Sequence, residues 1–274
     1  MIPFSQGLRM YGFHIMGIYL CSWARAYEIL RSILFRFTPC MKKTYTKKTR
    51  ADAVAKANAA VTHDKKDEKI IVHNLLILDE SGSMERIYHP SLSGCNETIQ
   101  SIRSAQHRFE NQDQRLSFVT FNSSGIKTVM DDVPIDEVRD LTPADYHPDA
   151  CTPLYDAVGK SCAGLEKIVT EKERVLVTII TDGLENASSE YTLGTIQSMT
   201  ERLRAKGWTF VYMGANQNAK EVALTLNIKN ALTFEATAVG TSDMFSRCGR
   251  GHQQFYDELE EKGLDMMTYD DMCF

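Results

Sequence analysis

Nine consecutive residues, Ile70 to Leu78, are apolar apart from His73 and Asn74, and the run ends on Asp79-Glu-Ser-Gly-Ser83. A run this short, rich in branched side chains and closed by a glycine turn, predicts a strand buried on both faces. A strand of that kind belongs inside a sheet covered by helices. Side chains at its carboxyl end face the crevice where open α/β sheets bind ligands. Asp79, Ser81 and Ser83 would there present one carboxylate and two hydroxyls. These are hard oxygen donors, suited to magnesium, calcium or manganese and poorly suited to zinc or copper. The competing reading is a polar turn that caps the next helix, with Ser83 at the N-cap.

The remainder of the chain predicts strands alternating with helices. Met84–Asn96 reads as a long loop and Thr98–Phe109 as a helix with Ile99, Ile102, Ala105 and Phe109 on one side. Leu116–Phe121 predicts a strand, and Asn122-Ser-Ser-Gly125 turns it into Ile126–Met130, a hairpin that makes an antiparallel edge. Pro134–Arg139 reads as a short acidic helix. Thr152 lies in a loop before a helix over Leu154–Ile168, with Thr152 a candidate N-cap and Pro153 suited to the first position. A second buried strand, from Arg174, ends on Asp182-Gly183. Helices over Thr192–Lys206, Asn218–Leu226 and Ala236–Arg247 alternate with strands over Trp208–Gly214 and Leu232–Phe234. The expected fold class is α/β: a doubly wound, mainly parallel sheet with one antiparallel edge strand and helices on both faces.

Three loops then supply oxygen donors to one end of the sheet: Asp79, Ser81 and Ser83 after the first strand, Thr152 before a helix, and Asp182 at a strand end. In this pattern residues 70–248 resemble the von Willebrand factor type A family. The specific parts are Leu78-Asp-Glu-Ser-Gly-Ser-Met84, Thr152-Pro-Leu-Tyr-Asp-Ala157 and Ile180-Thr-Asp-Gly183. The resemblance implies a Rossmann-like fold with a metal-ion-dependent adhesion site. Ser81, Ser83 and Thr152 would give hydroxyl oxygens, and Asp79 and Asp182 would act directly or through water. Mg2+, or Mn2+ or Ca2+ in its place, would keep a position open for an Asp or Glu carboxylate of a partner protein. Members of the family often have glycines before the Thr; here Ala150 and Cys151 stand there. Asp156 reads as a hydrogen-bond partner that holds a loop, and His89, His147 and Asp149 as loop residues around the crevice.

Charge divides the chain. Residues 1–69 hold 13 Lys/Arg against 5 Asp/Glu, whereas residues 70–274 hold 18 against 31. An acidic body suits a cation and disfavours nucleic acid, whose phosphates need neutralising. Residues 41–69 read as a basic flexible arm, with a frayed helix over Asp52–Val61 at most. Residues 1–40 form an N-terminal extension with two readings: an upstream start ahead of a true start at Met41, or a signal-like segment over residues 1–26. The apolar stretch at 11–24 is too short to span a bilayer. Residues 70–250 then make the domain, and 251–274 an acidic tail, mobile from Gln253. Seven cysteines, odd in number and without a C-x-x-C pair, point to free thiols in a reducing compartment and so to a cytoplasmic protein. That setting also argues against use of the glycosylation sequons at Asn96, Asn122 and Asn186. Cys151 is expected to be a partly buried loop residue.

Two functions compete. The first is a binding module that docks an acidic residue of another protein on a cation, as an adaptor in an intracellular complex. By family analogy an ATPase-type assembly is the partner. The second is a hydrolase or phosphoryl-transfer enzyme with Asp79 as nucleophile. No Lys sits in the three loops to hold phosphate, Ser83 lies in no G-x-S-x-G elbow, and no G-x-x-x-x-G-K loop is present. The sequence favours the binding module and no small-molecule substrate.

Overall fold

The computed structural model describes residues 69–216 and 218–274; the extension and basic arm expected over residues 1–68 lie outside the described residues. Six strands form one sheet: β1 (Ile70–Asp79), β2 (Gln112–Asn122), β3 (Gly125–Pro134), β4 (Arg174–Thr181), β5 (Trp208–Ala215) and β6 (Asn230–Phe234). Their spatial order is β3-β2-β1-β4-β5-β6. Every pairing is parallel except β2–β3, the antiparallel edge expected from the Asn-Ser-Ser-Gly turn. Among the described residues five α-helices accompany the sheet: α1 (Tyr88–Arg108), α2 (Leu154–Leu165), α3 (Leu193–Arg204), α4 (Ala219–Thr225) and α5 (Ala238–Lys262). The expected α/β class is the observed one.

The pleat divides the sheet's apolar side chains between two cores. Leu76 and Leu78 of β1, with Leu176, Ile180, Val211 and Met213, pack on one side against α1 and α5. Leu75 and Ile77, with Val175, Val177, Phe210 and Tyr212, pack on the other against α2, α3 and α4. This two-sided burial explains why β1 and β4 read as continuous apolar runs rather than alternating ones. It also leaves only the strand ends for polar chemistry. Gly94 lets α1 approach α5 closely: a Cβ at that position would stand 2.0 Å from the Phe245 ring.

Several sequence expectations are corrected. The loop foreseen over Met84–Asn96 is a 3-10 turn, Gly82–Ile87, followed directly by α1 from Tyr88. Pro90 falls in the first turn of that helix, where a missing N–H costs nothing. The acidic helix after β3 shrinks to three 3-10 residues, Ile135–Glu137. The closing helix runs on to Lys262 rather than stopping at Arg247. It buries Phe255, Tyr256 and Leu259, and beyond it Met266 and Met272 are buried too. A loose tail from Gln253 is therefore replaced by packed chain. Tyr256 donates to Asn74 Oδ1 of the central strand at 2.6 Å. Arg174 Nε donates to the Met266 carbonyl at 2.6 Å, and Asn230 Nδ2 to that of Tyr269 at 2.7 Å.

Candidate functional site

Register places the chemistry. β1 and β4 run in parallel with Leu78 beside Ile180, so Asp79 ends its strand next to Thr181, and Asp182 follows one residue later. Both carboxylates leave the sheet at the same edge. Asp79 is fully buried. Its Oδ1 accepts the Ser81 N–H at 2.7 Å, and its Oδ2 accepts the Thr181 hydroxyl at 2.5 Å. The tight turn after β1 brings Ser81 Oγ to 3.2 Å from Ser83 Oγ, and Ser83 Oγ donates to Asp182 Oδ1 at 2.5 Å. Asp79, Ser81, Ser83 and Asp182 thus form one connected set, although 99 residues separate Ser83 from Asp182 in the chain.

Thr152 joins the set by proximity. A Cβ on Gly183 would lie 3.0 Å from Thr152 Oγ1 and 3.8 Å from Asp79 Oδ2, so the two oxygens flank the same small volume. Its backbone is clasped from the third loop: Thr152 N–H donates to Asn186 Oδ1 at 2.8 Å, and Asn186 N–H to the Thr152 carbonyl at 3.1 Å. The hydroxyl itself makes no hydrogen bond among the described residues, and the residue is buried. It does not cap α2, whose N-cap position falls to Pro153 without a side-chain bond. Likewise Ser81 stands at the N-cap of the 3-10 turn, but its side chain caps nothing. The reading of these hydroxyls as helix caps therefore has no support in the geometry.

The surrounding loops are fastened to one another. Gly82 N–H donates to the Ala150 carbonyl at 3.1 Å, and Asp149 N–H to that of Glu80 at 2.9 Å. The Glu80 carboxylate is buried and accepts the His147 N–H, while the Tyr146 hydroxyl donates to the Asp79 carbonyl at 3.0 Å. Ala150, at the position where the family often has glycine, takes φ +63°, a conformation that glycine adopts without strain. Asp156 plays the loop-holding part expected of it. It accepts the backbone N–H groups of Ser189, Glu190 and Tyr191 at 2.9, 2.9 and 2.7 Å. His89, His147 and Asp149 line one pocket of about 570 Å³ beside the site, with Glu85, Tyr88 and Tyr146. His89 reaches it from the first turn of α1 rather than from a loop. Cys151, expected to be partly buried, is exposed.

Electrostatically the site is short of positive charge around Asp79. Burial pushes its pKa up, the hydrogen bonds from Thr181 and Ser81 pull it back, and Asp182 adds like charge. The outcome is a rise from 3.8 to about 6. Asp182 differs: Arg86 Nη2 donates to its Oδ2 at 2.9 Å. Arg86 and Thr181 are the two residues here that sequence reasoning missed. Thr181 was within reach, since the residue beside Asp79 on the neighbouring strand had to touch it. Among the described residues no group of three or more His, Cys, Asp or Glu side chains is placed to hold a metal. Any cation at this edge would rest mainly on hydroxyl oxygens, a donor set that hard divalent ions accept and soft ones do not.

No family model matches the sequence, and no curated protein does either. Among solved structures, the chain is similar to the pilus adhesin SpaC from Lactobacillus rhamnosus GG, at 12% identity and a TM-score of 0.53. That match covers 70% of this chain and 31% of SpaC. It is similar also to the PilB minor pilin from Streptococcus sanguinis, at 12% identity and a TM-score of 0.50, covering 70% of this chain and 63% of PilB. A von Willebrand factor type A protein from Catenulispora acidiphila is a looser match, at 11% identity and a TM-score of 0.45, covering 67% of this chain and 42% of that one. This chain thus spans less than two thirds of each. At such identities the likeness is one of fold. No helix among the described residues is long and apolar enough to cross a membrane.

Proposed function

We propose that this chain is a protein-binding module whose contact point is a divalent cation, Mg2+ or a relative of it, held at the carboxyl end of β1 and β4. The observation that supports this best is the Thr152 hydroxyl. It belongs to a buried residue, has no hydrogen-bond partner among the described residues, keeps its oxygen open to the site, and shares one small volume with the under-compensated Asp79 carboxylate. Ser81, Ser83 and Thr152 would hold the ion through hydroxyls, with Asp79 and Asp182 acting directly or through water. Three neutral donors and two carboxylates leave a divalent ion eager for one more anion, which an Asp or Glu of a partner supplies.

The enzyme reading is weaker. Thr181 and Ser81 hold both Asp79 oxygens, so an attacking carboxylate would first have to break those bonds. The two proteins sharing the fold, SpaC and PilB, are a pilus adhesin and a minor pilin. We place the module inside the cell, as an adaptor, because the five cysteines among the described residues are all free. The pilus neighbours are the observation on the other side, and fractionation of the producing cell decides between the two settings.

The test is capture of partners on immobilised full-length chain in magnesium, in EDTA, and with Asp79→Ala. The expected result is a partner retained only by wild type in magnesium and released by a peptide rich in Asp and Glu, with no turnover of phosphatase or esterase substrates. Metal-dependent hydrolysis abolished by Asp79→Ala would overturn the reading.

A further inference from the structure

We propose that Arg86 is a built-in competitor of the cation, setting the affinity of the site low by occupying Asp182. The inference rests on the cation reading above and concerns a residue that reading does not use. Arg86 sits in the same 3-10 turn, Gly82–Ile87, that carries Ser83 and is preceded by Ser81. Its side chain is 53% exposed, whereas that of Asp182 has no exposure, so a half-solvated guanidinium reaches a buried acid. The bond from Nη2 to Asp182 Oδ2 is 2.9 Å, and the Arg86 side chain makes no other hydrogen bond or ion pair among the described residues. With Ser83 on Oδ1, both oxygens of Asp182 are engaged. Asp79, by contrast, receives only neutral donors.

Two consequences follow, and they have the same sign. The guanidinium withholds one oxygen from any ion entering between the three loops. It also cancels one of the two negative charges that would attract the ion. A fixed positive charge ~6 Å from a divalent cation opposes binding by about ten-fold even at the dielectric constant of water. A carboxylate arriving from outside restores the charge balance, and it finds the remaining guanidinium N–H groups on the exposed side of the site. Cation and acidic partner are therefore expected to bind together more tightly than either binds alone.

The experiment is Mn2+ titration of metal-stripped, full-length chain, with free Mn2+ read by electron paramagnetic resonance. Wild type, Arg86→Gln and Arg86→Lys are compared, each also melted in EDTA and in Mn2+. Arg86→Gln should bind Mn2+ about ten-fold more tightly than wild type. Arg86→Lys, which keeps the charge, should stay near wild type. In EDTA the Gln variant should melt no higher than wild type, and its rise in melting temperature on adding Mn2+ should be the larger. Equal or weaker Mn2+ binding by Arg86→Gln, with wild type binding normally, overturns the inference while leaving the cation site standing. Absence of Mn2+ binding in all three proteins overturns the cation site and this inference with it.

Discussion

Asp79 lets the electrostatics of the site be measured without any partner. In the fold its carboxyl keeps a proton up to about pH 6, whereas in the unfolded chain it ionises near 3.8. Between those values the folded state carries more proton than the unfolded state, so stability is greatest below pH 4 and is lost as the pH rises through 6. At about 1.36 kcal/mol per pH unit, the loss comes to about 3 kcal/mol by pH 7. Asp79→Asn removes the titration and keeps the shape. Urea denaturation of both metal-stripped proteins from pH 4 to pH 7 should therefore show the variant gaining about 3 kcal/mol on wild type. Carboxylates held below their usual range elsewhere, Asp132 beside His73 and Arg115 and Glu166 beside Arg202, titrate in the opposite sense. They are common to both proteins and cancel in the difference. Magnesium at pH 7 should then restore wild type and leave the variant unmoved. A difference that stays flat with pH would refute the claim that burial leaves Asp79 short of a counter-charge.

Three further outcomes are expected. Gly183→Ala places a Cβ 3.0 Å from Thr152 Oγ1, so it should weaken Mn2+ binding by titration at a stability cost of only about 1 kcal/mol. Asp156→Ala strips the partners from three backbone N–H groups and should cost about 3 kcal/mol in urea, with amide exchange over residues 189–191 speeding up. Ala150→Gly relieves a φ of +63° and should stabilise the chain by about 1 kcal/mol, read as a higher melting temperature.

Much of this architecture could be read from the chain because two-sided burial leaves a strong mark. β1 and β4 are apolar almost throughout, and the acids at their ends stand out for that reason. The edge hairpin was equally plain from its turn. α1 began ten residues earlier than expected because Tyr88-His-Pro-Ser resembles a loop, although a proline in a first turn obstructs nothing. The carboxyl-terminal helix was underestimated because its acidic residues outweighed an apolar stripe. Met244, Phe245, Cys248, His252, Phe255, Tyr256 and Leu259 repeat at helical spacing and are all buried. Arg86 carried no such signal. Its partner lies 96 residues away, and only the parallel register of β1 and β4 brings them together.

The central claim is a single cation bounded by hydroxyls from two separate loops. The anomalous difference map of the full-length chain crystallised with Mn2+ tests it most directly. The account predicts one strong peak within about 2.2 Å of the Ser81, Ser83 or Thr152 hydroxyls, where hard cations hold their oxygens, and no peak in Asp79→Asn. Manganese found only in the neighbouring pocket of Glu85, His89, His147 and Asp149, or nowhere on the chain, would contradict it.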